Sequence, residues 1–167
     1  YPSYRQILKS LSINPVGLPT SKDNRHIPRL EGHNLNGAII ASPANPTGSI
    51  LSKGSLTSLI NECIDQKISF ISDEIYHGLH YDFSCTSALE ISDDVYVINS
   101  FSKYFSMTGW RIGWMIVPKS HVRLIERLAQ NLFICAPHAS QIAALGALDS
   151  IDEAETLKGV YKVNRDL

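Results

Sequence analysis

The run Val95-Tyr96-Val97-Ile98-Asn99-Ser100-Phe101-Ser102-Lys103-Tyr104-Phe105-Ser106-Met107-Thr108-Gly109-Trp110-Arg111-Ile112-Gly113-Trp114 changes character in its middle. Its first residues are apolar and rich in β-branched side chains, the composition of a strand buried on both faces of a parallel sheet. Its second part sets one lysine among small hydroxyl residues and one arginine between two glycines. A lysine at the end of a buried strand is costly unless its amine has a task there. Amines so placed serve as nucleophiles that form Schiff bases with carbonyl groups. Gly109 and Gly113 are expected to let the backbone turn tightly on either side of Arg111. Trp110 and Trp114 read as packing residues.

The same alternation of apolar runs and polar turns extends outward. Helical spacing predicts a helix over Tyr4–Leu11, with Ile7, Leu8 and Leu11 on one face, broken by Asn14-Pro15. Val16–Leu18 reads as a short strand and Pro19–Asn36 as a polar loop with a helical turn. Gly37–Ala41 is wholly apolar and predicts a buried strand; the turn formers Ser42–Gly48 follow it. Ser52 is placed to cap a helix to about Gln66, with Leu56, Leu59, Ile60, Cys63 and Ile64 inward. Ile68–Ser72, Val95–Asn99 and Ile112–Val117 predict further strands. Helices are predicted over Lys119–Leu132, with Val122, Ile125, Leu128 and Ala129 in helical register, over His138–Leu148 and over Asp152–Leu167. Strands alternating with helices predict an α/β class, a three-layer α/β/α sandwich around a mostly parallel sheet.

Composition narrows the function classes. A chain of 167 residues, 44% hydrophobic, suffices for one domain with a sizeable core. With 15 Lys and Arg against 16 Asp and Glu, nothing favours a nucleic-acid or anionic-membrane partner. The longest apolar run is far short of a membrane span, and no signal-peptide pattern is present. Cys63, Cys85 and Cys135 are odd in number and widely spaced, which argues against a disulfide framework and a zinc site and fits a reducing, cytoplasmic compartment. His77 and His80 flank Gly78 with no carboxylate or cysteine in register, so no metal site is assigned.

Three polar clusters each follow a predicted strand: Asn45-Pro46-Thr47-Gly48, Asp73-Glu74-Ile75-Tyr76 and Ser100–Lys103. Ligands of open α/β sheets bind beyond the carboxyl ends of the strands, so the clusters are expected to meet on one rim. Taken singly, each is an ordinary turn. Tyr76 lies three residues after Asp73, a spacing that lets both face one pocket from a turn. Asn45-Pro46 is of the bond type that readily adopts the cis form.

Together, the S-x-S-K spacing at Ser100–Lys103, the G-W-R-x-G at Gly109–Gly113, the D-E-I-Y at Asp73–Tyr76 and the N-P-T-G at Asn45–Gly48 resemble the fold-type I pyridoxal-phosphate enzymes, in particular the class I/II aminotransferases. The resemblance covers essentially the whole chain, with its motifs in family order. It implies the cofactor pyridoxal 5'-phosphate, held by Lys103 through a Schiff base, with Lys103 later moving the substrate α-proton. Asp73 would keep the ring nitrogen protonated, making the ring a better electron sink. Tyr76 and Asn45 would donate to the phenolate oxygen and stabilise its charge. Ser100 and Arg111 would bind the phosphate, the guanidinium clamping two oxygens at once; Ser102 would join them or serve local backbone bonding. Tyr1 would stack on the ring. Lys103, Asp73 and Tyr76 are thus the expected catalytic residues.

The resemblance also implies that residues 1–167 form the central part of the cofactor-binding large domain. The family's N-terminal segment, with its glycine-rich phosphate cap, and its C-terminal small domain, with the arginine that grips the substrate carboxylate, are expected to lie outside these residues. The chain alone is therefore expected to be inactive. The intact protein is expected to move an amino group between an amino acid and a 2-oxo acid, and to be a homodimer. Two alternatives share these residues: a carbon–sulfur β-lyase, and a transcription regulator with an aminotransferase-like effector domain.

Overall fold

The computed structural model describes residues 1–167. Four strands, β1 (Gly37–Ala41), β2 (Ser69–Asp73), β3 (Tyr96–Ser100) and β4 (Gly113–Ile116), make one sheet in that order. β1, β2 and β3 run parallel, so their carboxyl ends leave the sheet on one rim. β4 is antiparallel to β3, and its first residue, Gly113, pairs with the last of β3, Ser100. A parallel fourth strand would start at the opposite rim. The antiparallel step instead returns the chain to the rim it has just left, with Arg111 two residues before the pairing.

Helix α1 (Pro2–Ser10) precedes the sheet, α2 (Lys53–Asp65) joins β1 to β2, and α3 (Val122–Leu132), α4 (His138–Leu148) and α5 (Ile151–Arg165) follow β4. The α2 N-cap is Ser52, whose hydroxyl accepts from the Ser55 amide at 3.2 Å. Leu56, Leu59, Ile60 and Cys63 of α2 are buried against Ala38, Ile68, Phe70, Val95 and Val97. Burial alternates along β2: Phe70 and Ser72 turn to this core, and Asp73 lies on the other side of the pleat. A smaller cluster, Phe101, Met107 and Ala144, seats the residues around Lys103 on α4. The Ser140 hydroxyl of α4 adds a hydrogen bond to the Trp110 carbonyl at 2.7 Å.

The α/β class and the mostly parallel sheet agree with the sequence pattern, and so does the cis bond Asn45-Pro46; Ser42-Pro43 is cis as well. The departures have physical causes. Val16–Leu18 forms no strand, and no strand lies beside it to pair with. Ile64 stays exposed because, of the five residues expected inward, it lies farthest round the helix from the centre of the buried stripe. The helix predicted from Lys119 opens as a 3₁₀ turn, Lys119–His121, and α3 buries no residue. Its apolar residues Val122, Ile125 and Ala129 line an open groove with Met115, Ile116 and Val117. No helix is long and apolar enough to cross a membrane.

The two glycines near Arg111 do not carry the turn. Arg111 itself has the positive φ, 51°, while Gly109 and Gly113 do not. Gly113 is needed for close approach: a Cβ there would lie 2.6 Å from the Asn99 carbonyl oxygen of β3. Gly109 faces open space. Gly113→Ala is therefore expected to destabilise by about 1–3 kcal/mol through a forced backbone shift. Gly109→Ala should be neutral or stabilising by up to about 1 kcal/mol. Urea-unfolding midpoints of the two variants measure this, and equal losses at both positions would contradict it.

Candidate active site

The rim collects residues from three strand ends and the return into β4. In the lateral row at the rim, Ala41 pairs with Asp73, and Asp73 with Ile98. Asp73 is the last residue of β2, and both of its carboxylate oxygens are engaged. Oδ1 accepts from the Ile75 amide at 3.1 Å, closing a tight Asx-type turn, and Oδ2 accepts from the Tyr4 hydroxyl of α1. The turn throws Tyr76 back over the rim, where its hydroxyl accepts a hydrogen bond from Asn45 Nδ2 at 3.2 Å. Asn45 and Tyr76, 31 residues apart in the chain, thus converge at their polar tips.

Lys103 approaches from the turn after β3. Its Nζ lies over the Tyr76 ring, 5.7 Å from the centroid, a cation–π placement on the electron-rich face. None of the ion pairs in the structure uses its ammonium. The Ser100 hydroxyl lies 2.9 Å from Ser102 Oγ and 3.0 Å from the Ile112 carbonyl, and accepts from the Ser102 amide at 3.1 Å. A hydroxyl has one proton, so only one of those two acceptors is served at a time. Thr108 Oγ1 donates to the Ser102 carbonyl at 2.7 Å, and Arg111 Nη1 to the Thr108 carbonyl at 2.8 Å. Ser100, Ser102 and Arg111 are thus joined through one loop, although the guanidinium touches neither serine directly. Tyr1 is more loosely held. It is 59% exposed and meets the rim only through Tyr4, whose ring it contacts edge-on at 5.6 Å.

Sequence reasoning passed over two residues here, Tyr4 and Glu74, while His77, next to Tyr76, was expected to line the pocket. Tyr4 reads as a helix residue, yet its i,i+3 spacing from Tyr1 already puts the two on one face of α1. Burial, with the Asp73 carboxylate second, pushes the Tyr4 phenol well above the usual tyrosine range, so it remains a donor. Glu74 is buried and accepts from Ser72 Oγ at 3.0 Å and the Ala88 amide at 2.8 Å. His77 lies with Nδ1 3.4 Å from Glu74 and Nε2 3.0 Å from the Ser42 carbonyl, tying the turn that bears Asn45 to the turn that bears Tyr76. A cavity of about 240 Å³ opens beside Asn45, and the polar loop before β1 supplies Thr20 and His26 to its wall.

The donor set has a definite chemistry. It offers one primary amine, one carboxylate, a phenol and an amide converging on a point, and two hydroxyls with a guanidinium on one loop. A planar aromatic aldehyde with a basic ring nitrogen, a phenolate and a phosphate presents one group for each. No group of three His, Cys, Asp or Glu side chains is close enough to hold a metal ion.

The chain is similar over nearly its whole length to proteins of one family. The family profile described as Aminotransferase class I and II matches residues 1–165. The valine–pyruvate aminotransferase of Mycobacterium tuberculosis is 39% identical over 100% of this chain, which covers 45% of that protein. A provisionally named aminotransferase from Silicibacter pomeroyi superposes with a TM-score of 0.96 at 57% identity, over 99% of this chain and 46% of that one. For an aminotransferase from Mycobacterium tuberculosis the TM-score is 0.94 at 39% identity, over 99% and 48%. The chain spans less than half the length of these relatives.

Tyrosine titration reports on the rim directly. An exposed phenol ionises near pH 10, whereas burial and the Glu155 carboxylate push Tyr104 up to about 12 and Tyr4 stays protonated beyond it. A phenol whose folded pKa is raised contributes stability that is full below the unfolded value and lost as pH rises toward the folded one. Tyr4→Phe should remove one late step from an ultraviolet tyrosinate titration and flatten the loss of stability above about pH 10. Ionisation of all seven tyrosines in one step near pH 10 with the fold intact would contradict this.

Proposed function

The chain belongs to the class I and II aminotransferase family, and on that premise we propose that it is the central part of the cofactor-binding domain of a pyridoxal-phosphate-dependent aminotransferase. The carrying observation is the convergence of Asn45 Nδ2 on Tyr76 Oη at 3.2 Å, beneath a lysine amine free of ion pairs. The intact protein would transfer an amino group between an amino acid and a 2-oxo acid. Relatives bear names from valine–pyruvate to aspartate aminotransferase, so the pair of substrates is a matter for a screen. None of these names favours the lyase or the regulator. By the same family resemblance the intact protein would be a homodimer, and three free thiols suit a cytoplasmic setting.

Bound pyridoxal phosphate supplies an aldehyde that captures amino groups and a protonated ring that accepts electrons when the substrate α-proton leaves. The chain's residues divide the remaining work. Asp73, held by the Ile75 amide and the Tyr4 hydroxyl, would face the cofactor's ring nitrogen and hold its proton. Tyr76 and Asn45 donate to the phenolate oxygen; Asn45 retains a second N–H beyond the one spent on Tyr76. Lys103 Nζ would anchor the cofactor through a Schiff base and, once released, would serve as the base that holds and moves the substrate α-proton. Ser100, Ser102 and Arg111 hold the phosphate, and Tyr1 covers the ring face.

In the intact protein, Lys103→Ala should abolish the visible absorbance gained on adding pyridoxal phosphate, leave nothing for borohydride to fix, and lower kcat at least about a thousandfold. Asp73→Asn should bind cofactor but lower kcat by about a hundredfold or more. A wild-type protein that gains no visible band with pyridoxal phosphate would refute the proposal.

A further inference from the structure

Tyr104 follows Lys103 directly, and the cofactor chemistry leaves it no task. It is nevertheless gripped from three sides. Its ring lies against the backbone of Gly78, two residues beyond Tyr76: a Cβ on Gly78 would stand 2.6 Å from Tyr104 Cγ and 2.9 Å from Cε2. Gly78 also has φ +93°, so this position suits glycine both by space and by backbone. At its far end the Tyr104 hydroxyl donates to Glu155 Oε1 of α5 at 2.6 Å, while Glu155 Oε2 takes the Lys158 ammonium at 3.3 Å. The ring edge meets Phe105 at 4.9 Å, and Phe105 meets the buried Phe101 at 4.9 Å.

Helix α5 holds both neighbouring segments. Tyr161 of α5 lies 3.1 Å from Ser106 Oγ, three residues past Lys103. Arg165 of α5 sits over the Tyr81 ring at 4.7 Å and reaches Asp82 at 3.4 Å, in the loop that continues from Gly78. The turn between them closes on its own backbone, with the Ser106 amide donating to the Lys103 carbonyl and the Met107 amide to the Phe101 carbonyl, both at 3.0 Å. A lysine has a long, freely rotating stem. Where its amine can reach is therefore set by how firmly its backbone is held.

We propose that Tyr104 is a positioning residue: clamped between Gly78 and Glu155, it locks the turn from Phe101 to Met107 so that the Lys103 amine stays over Tyr76. The clamp stands on contacts alone; its consequence for cofactor capture rests on the reading of Lys103 given above.

Two readouts on the intact protein separate these layers. The first is amide hydrogen exchange without added cofactor. Tyr104→Phe and Glu155→Ala should each speed exchange of the Ser106 and Met107 amides about fivefold, the effect of one lost hydrogen bond on local opening. Glu155→Gln keeps an acceptor and should stay near wild type, and Lys158→Ala should change little. The Tyr104→Phe/Glu155→Ala double variant should add nothing to either single one, because both remove the same contact. The second readout is the rate at which pyridoxal phosphate and borohydride label Lys103, which should slow in Tyr104→Phe and Glu155→Ala and recover in Glu155→Gln. Equal exchange in all variants would overturn the clamp, whatever the labelling shows. Faster exchange with unchanged labelling rates would overturn the positioning role. Faster exchange in Tyr104→Phe and Glu155→Ala, with a wild-type Lys103 that is never labelled, would support the clamp and refute the cofactor reading.

Discussion

Parallel pairing is the constraint on which the rest depends. Three strands that run the same way must deliver their carboxyl ends to one rim, where polar side chains leave the sheet without entering its core. The segments that bear Asn45, Asp73 and Ser100 leave from that one rim for that reason, though they lie far apart in sequence. The buried Phe70, Val95 and Val97 against α2 supply the apolar area that holds the strands in register. The single antiparallel step at β4 brings Arg111 back to the same edge.

The polar groups gathered there are mostly satisfied by one another. Asp73 takes donors on both oxygens, Glu74 takes Ser72 and Ala88, and His77 bridges two turns. Fully partnered networks of this kind fix geometry, because losing one member leaves another buried and unpaired. Lys103 stands apart. Its amine contacts an aromatic face and no carboxylate, which leaves it available as a nucleophile.

Much of this was legible from residue patterns. Gly37–Ala41, Ile68–Ser72 and Val95–Asn99 are apolar runs bounded by turn formers, so their strands were expected within a residue of where they lie. The rim followed from those strands without knowledge of any contact. What escaped the pattern depended on partners distant in sequence. Tyr4 on Asp73, His77 on Ser42 and Tyr104 on Glu155 join residues whose pairing no local periodicity encodes. The direction of β4 escaped for the same reason, and with it the true role of Gly113, which is close approach to β3 rather than a turn. α3 shows the opposite failure. Its apolar stripe is real, but periodicity says which face is apolar and cannot say whether another element of the chain covers it.

The most direct measurement of the central claim is a crystal structure of the intact protein grown with pyridoxal phosphate. The account predicts continuous density from Lys103 Nζ to the cofactor, with its ring nitrogen against Asp73, its phenolate oxygen between Asn45 and Tyr76, and its phosphate on the loop of Ser100, Ser102 and Arg111. Cofactor bound elsewhere, or an unmodified Lys103 beside it, would contradict the account.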